Sequence, residues 1–215
     1  LPEVGAKLTS VYFINAAVGV SMTQGTLMLS GVTFENTAVG VSSTGAFDIT
    51  ARLLTSLQCN TVFSLIASPG VTPSTLSIEN SEFLRGVVGL DFRNSNMSEV
   101  VISDSTFQDF SVDAAFFSGS FAAINISGAH FTNSHVGFLG CAPLQLTQCA
   151  FSGASGSLSV LDAFPCPVVP TVNIVNSSFA GVGNGVFNFH NSTVRVSGGS
   201  FANNSGPCIR CFYGL

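Results

Sequence analysis

Few residues in this chain could do chemistry. The densest acidic group is Asp104, Asp109 and Asp113, with Asp91 and Arg93 shortly before it. Paired carboxylates can share acid and base roles or hold a divalent cation, provided that they converge. His130, His135 and His190 follow no spacing that would bring them onto one metal ion. No G-x-S-x-G stands where a strand would hand over to a helix, so none of the many serines is marked as a nucleophile. Cys208 and Cys211 form a lone C-x-x-C. A zinc reading needs a second pair at matching spacing, which Cys141 and Cys149 do not supply, and a redox reading needs a βαβ context. The expectation is a chain with no catalytic residue, no metal ligand and no cofactor.

The element that must position these groups is a repeat. Nine times an apolar residue stands five positions before a second apolar one: Leu8/Phe13, Leu29/Phe34, Ile49/Leu54, Ile78/Phe83, Ile102/Phe107, Ile126/Phe131, Leu146/Phe151, Ile174/Phe179 and Val196/Phe201. Successive second members, with Leu54 as the third, lie between 20 and 29 residues apart. A period of that size marks a solenoid, in which each repeat buries its apolar face only against its neighbours. Relative to the second member, position −7 is apolar from the second repeat onward, so −7 and −5 share one side of a short strand. Position −3 carries turn residues such as Gly31, Asn80, Asp104 and Asn176. Position −2 is mostly small (Ser81, Ser105, Ala129, Cys149), as an inward corner requires. The two longest repeats hold the prolines from Pro69 to Pro73 and from Pro165 to Pro170, which cannot donate to a ladder. Helical periodicity is sustained nowhere. The expected fold is all-β: a right-handed parallel β-helix of about nine rungs, one domain over residues 1–215, either a whole rod or a segment of a longer one.

In this frame Asp104 falls at −3, Asp109 at +2 and Asp113 at +6, on different faces of the coil. Arg85 and Asp109, both at +2 in consecutive rungs, should stack as a surface ion pair. The outward rank at −4 bears a hydroxyl in seven of nine rungs, counting Thr50 as the third member. Its neighbour at −6 is too mixed for a flat ice-binding strip.

Segments such as Ile78-Glu79-Asn80-Ser81-Glu82-Phe83 and Ile174-Val175-Asn176-Ser177-Ser178-Phe179 resemble the coils of the right-handed parallel β-helix superfamily. That superfamily includes pectate lyases, polygalacturonases and many surface adhesins. The likeness to the repeats of chlamydial polymorphic outer-membrane proteins is slighter, since their G-G-A-I element is absent. The resemblance implies the fold over essentially the whole chain. The paired Asp, G-H-G and R-I-K of polygalacturonases have no counterpart here, because His190 sits in Phe-His-Asn and no Arg-x-Lys occurs.

Only 8% of the chain is charged against a usual share of about 25%, which argues against a nucleic-acid partner. No apolar run approaches the roughly 18 residues of a membrane-spanning helix. A membrane barrel would carry Trp and Tyr girdles, and the chain has no Trp. With 46% hydrophobic residues, the surface relies on thirty Ser, sixteen Thr and fifteen Asn for hydration. Five N-x-[S/T] sequons, at Asn96, Asn125, Asn176, Asn191 and Asn203, fall at outward, corner or loop positions open to a transferase. Six cysteines in such a chain fit an oxidising compartment. The expected bridges are Cys208–Cys211 and Cys141–Cys166, with Cys59 and Cys149 as buried thiols. A Cys141–Cys149 bridge would need to span a four-residue strand of about 13 Å, whereas bridged Cα atoms lie within about 7 Å.

The reading is a secreted or cell-surface, N-glycosylated structural solenoid, a filament or adhesive-rod component. Covalent glycans and end-to-end self-association are its expected partners. The alternative is a carbohydrate-binding or carbohydrate-active β-helix. Activity would need a charged groove, and binding would need aromatic side chains exposed on one face. Phe110, Phe116, Phe117, Phe121 and Phe138 are the aromatics that the repeat leaves unplaced.

Overall fold

The computed structural model describes residues 5–67, 74–140, 142–153, 157–161, 170–182, 187–190, 192–206 and 208–212. Within them the chain is all β, and every strand pairs in parallel with the rung above or below. Nine three-residue strands, from Tyr12–Ile14 to Ser200–Ala202, stack into one sheet. The other strands form a second sheet whose path runs unbroken from Gly5–Thr9 to Ile209–Phe212. It wraps the remaining sides of the coil, because Val88–Ser103 and Asp113–Ser127 each run on from one side to the next. The result is a parallel β-solenoid.

Two corners of every coil are made the same way. The residue at −3 and the residue at +2 adopt left-handed backbone in all nine rungs, with φ between 48° and 82°. Asn, Asp and Gly tolerate that conformation best, which is why Asn15, Asn36, Asn80, Asp104, Asn133 and Asn176 stand there. The next residue turns inward and, where it can, repairs the hydrogen bonding that the corner breaks. Ser81 Oγ donates to the Glu79 carbonyl at 2.9 Å and accepts from the Leu54 amide of the rung below at 3.1 Å. Ser105 and Ser177 do the same at −2, and Ser134 does so at +3. Where a serine or cysteine stands at −2, the small inward residue is thus also a donor.

Down the middle of the three-residue strands the phenylalanines stack face to face. Ring centroids lie 4.7 Å apart for Phe83/Phe107, 5.1 Å for Phe107/Phe131, 4.7 Å for Phe131/Phe151 and 4.8 Å for Phe151/Phe179. Phe34, Phe83, Phe107, Phe131, Phe151 and Phe179 are almost wholly buried, whereas Phe201 is 36% exposed. A second interior stack, absent from the sequence reading, joins Phe92 to Phe117 at 5.0 Å and Phe117 to Phe138 at 4.7 Å. Phe121 meets the Phe92 and Phe117 rings edge-on.

The third rung corrects the sequence frame. Phe34 and Phe83 both pair with Ser56, not with Leu54, so the repeat there is shifted by two residues. A shift of two preserves which side chains point inward, so Leu54, Ile49 and Phe47 remain buried. The rung has exchanged volumes: a large Leu54 at the inward corner and a small Ser56 in the phenylalanine column. Phe63 crosses from the opposite wall to fill the gap, meeting Phe83 edge-on at 6.4 Å. The outward −4 position is then Arg52 rather than Thr50, and its Nε contacts Glu79 Oε2 at 2.8 Å. An exposed pair of this kind contributes no more than about 1 kcal/mol.

The exchange leaves a cost. Ser56 Oγ and Ser43 Oγ are buried with no hydrogen-bond partner among the described residues. An unsatisfied buried hydroxyl costs about 1–3 kcal/mol, so Ser56→Ala should raise stability by about 1 kcal/mol. A urea midpoint that falls on that substitution would show that the hydroxyl is satisfied in solution.

Candidate functional site

On the outside of the larger sheet, consecutive rungs bring side chains into columns. One column reads Ser64, Asp91, Phe116, Gly137 and Ser159 through the paired registers. Phe92 pairs with Phe117 and Ser95 with Gly119, so Arg93 and Asn94 together oppose Ser118 in a β-bulge. A bulge adds one residue to one strand and re-aims its side chains. Here Arg93 Nε turns back along its own strand to donate to Asp91 Oδ1 at 3.0 Å. Arg93 is 64% exposed, whereas Asp91 is 17% exposed beneath it.

Beside them, His135 Nδ1 and Asp113 Oδ1 lie 2.5 Å apart. The two share a place because Ala115, eight residues past Phe107, pairs with Val136, five past Phe131. Rung five carries an insertion after its second corner, which counting forward from the phenylalanine hides. The Phe116 ring lies between this pair and the bulge. A Cβ added at Gly137 would come within 3.1 Å of that ring and 3.2 Å of the His135 ring, so glycine leaves both aromatics room to lie over the strand. Arg93, Asp113, Phe116 and Ser118 line one open cleft.

Of the acidic residues singled out in the sequence, the structure brings Asp91 and Asp113 together with Arg93. It sends the other two elsewhere. Asp104 is an exposed −3 corner whose carboxylate lies over Gly128. Asp109 is a +2 corner, where Asn133 Nδ2 donates to Oδ1 at 3.0 Å and Gln108 Nε2 to Oδ2 at 3.0 Å. These hydrogen bonds, with a smaller contribution from the charge of Arg85, hold its carboxyl below the usual carboxylate range. They are therefore kept above the normal aspartate range and lost as acid protonates the group. The Arg85–Asp109 register is as expected, since the Arg85 amide donates to the Gln108 carbonyl. The ion pair is not formed: Asp109 is drawn up to the next rung by Asn133, and Arg85 acts only through its charge.

Among the described residues no three His, Cys, Asp or Glu converge as a metal site. Phe110, Phe117, Phe121 and Phe138 are buried; Phe116 alone of the unplaced aromatics faces outward.

Asn96, Asn176 and Asn203 are exposed, the last two on left-handed corners. Asn96 lies in the strand Val88–Ser103 rather than in a loop. Asn125 is half-buried on its strand and donates to Glu99 Oε1 at 3.4 Å. Asn191 falls outside the described residues.

The cysteines divide by position. Cys59 and Cys149 are buried free thiols at inward corners, where serine stands in other rungs. Cys149 Sγ donates to the Ile126 and Thr147 carbonyls, and Cys59 Sγ to those of Phe34 and Leu57. Burial pushes the Cys149 thiol up to about 11, so it carries little thiolate. The expected Cys208–Cys211 bridge is not formed, since Cys208 is a free, half-exposed thiol. Cys211 belongs to the strand Ile209–Phe212, and three residues of extended chain carry its Cα about 10 Å from that of Cys208, beyond bridging range. Cys141 and Cys166 lie outside the described residues. On brief treatment with a thiol reagent under native conditions, Cys208 should be modified and Cys59 and Cys149 spared until the chain unfolds, as peptide mapping would read. Early modification of Cys149 would contradict the corner assignment.

The described residues contain no helix long and apolar enough to cross a membrane. No protein-family model, curated protein or solved structure matches the chain, and what is shown is the parallel β-solenoid fold itself.

Proposed function

We propose that this chain is an extracellular, N-glycosylated structural solenoid, a stiff element of a surface rod or filament. The observation that carries the reading is the placement of Asn96, Asn176 and Asn203, whose side chains are exposed on the outer faces and corners of a rod with few charges. Glycans there would hydrate a surface otherwise covered by neutral hydroxyls and amides. Two further features favour a structural over a catalytic role. Asp104 and Asp109 are built into corners, and the solenoid spends its aromatic residues on two interior stacks.

Expression through a eukaryotic secretory pathway tests the proposal. Intact mass should fall on treatment with a peptide N-glycosidase, and Asn96→Gln, Asn176→Gln and Asn203→Gln should each remove one glycan. The stripped protein should keep its β-sheet circular dichroism while associating into larger species. A secreted product with no glycan at any of the three positions would overturn the reading.

A further inference from the structure

We propose that the outward cleft around Phe116 binds a neutral saccharide segment, a role separate from the hydration supplied by the rod's own glycans. Three observations converge there. Phe116 is half-exposed in the middle of a sheet, with paired strands on both sides of it. Gly137 on the next rung holds back any side chain that would lift the aromatic off the strand. A β-bulge, the local irregularity of the ladder at this place, is what positions Arg93 at the rim.

The polar groups around the ring set the ligand chemistry. Arg93 offsets the charge of Asp91, and Asp113 pairs with the His135 ring, so the cleft holds no excess positive charge that would draw an anion. These contacts engage one oxygen of each carboxylate and the Nε of Arg93. The second carboxylate oxygens and the terminal guanidinium nitrogens remain to accept from and donate to hydroxyls. An apolar platform with a few convergent donors and acceptors at its edge is the usual form of a small polar ligand's site. A pyranose ring fits it, with its C–H face on the phenyl ring and its equatorial hydroxyls at the rim. An extended peptide does not, because the strands here have no free edge to which it could add. The groups span rungs four to six, or about 10 Å along the rod, which is room for about two sugar units.

The test is calorimetric titration of the full chain, produced without glycans, with cellohexaose, maltohexaose and hexagalacturonate. At least one of the two neutral hexasaccharides should bind saturably at millimolar concentration, and hexagalacturonate should bind more weakly. Phe116→Ala should weaken that binding about tenfold, the worth of one good aromatic contact. Arg93→Gln should weaken it as well, while Ser21→Ala, an outward position on the first rung, should leave it unchanged. Circular dichroism confirms that each variant is folded. The proposal is overturned if neither neutral sugar binds, if hexagalacturonate binds best, or if folded Phe116→Ala binds as the parent does.

Discussion

Phe131→Ala should destabilise the solenoid by about 3–5 kcal/mol, the range found when a large buried aromatic is truncated in a core that cannot collapse. Phe131 is wholly buried and stacked on both sides, with ring centroids 5.1 Å from Phe107 and 4.7 Å from Phe151. Its rung cannot close over the hole, because its spacing is fixed by backbone hydrogen bonds to the rungs on either side. The cavity therefore persists and two rings lose a face each. Chemical denaturation should show a large drop in midpoint, and Phe131→Leu, which keeps most of the volume, should recover part of it. A midpoint shifted by less than about 1 kcal/mol would mean that the column is not a continuous packed core.

Gly119→Ala should cost about 3 kcal/mol or more, although it adds a single methyl group. Gly119 has φ of +130° and faces Ser95 across the bulge. An added Cβ would lie 2.0 Å from the Ser95 carbonyl oxygen and 2.7 Å from its amide nitrogen. Both neighbours are backbone in a paired ladder, so relief requires moving the strand. Backbone strain and overpacking of about 1–3 kcal/mol each then add. Gly181→Ala is the comparison: φ is +66° and nothing lies within 4 Å of the new atom, so only the conformational cost of about 1 kcal/mol remains. Equal losses for the two substitutions would remove the bulge from its proposed place. The same variant should also impair the saccharide cleft, since the bulge carries Arg93.

Much of the fold was legible because a solenoid writes its register into the chain. The phenylalanine at the centre of eight of the nine short strands, the apolar pair before it and the Asn, Asp or Gly at −3 in six of the rungs recur in order. The third rung was misread because its large residue moved to the corner: Leu54 looked like the column residue, and Ser56 carried no apolar mark. The second interior stack was hidden for a related reason. Phe92, Phe117 and Phe138 belong to strands whose distance from the first corner varies with each insertion, so no fixed offset collects them. The cleft suffered the same way. Asp113 stands six residues past Phe107 and His135 four past Phe131, and only the pairing of Ala115 with Val136 brings them together. The missing Cys208–Cys211 bridge is a failure of local geometry, since C-x-x-C closes a bridge in a turn and this one enters a strand. Asp109 shows the limit of stacking arguments: the register was right, yet a neutral amide above it outcompeted the guanidinium below.

The inward hydroxyls and thiols that follow several of the corners have a mechanical consequence. They join each rung to its neighbours by side-chain hydrogen bonds that run, like those of the ladders, along the length of the rod. Pulling the ends apart therefore loads every bond of an interface at once, as a rivet row is loaded, while bending loads them one edge at a time. Such a body resists stretch far better than peeling. Among the described residues the third rung is the one interruption in the column of rings, and there Phe63, edge-on to Phe83, carries the aromatic packing past Ser56.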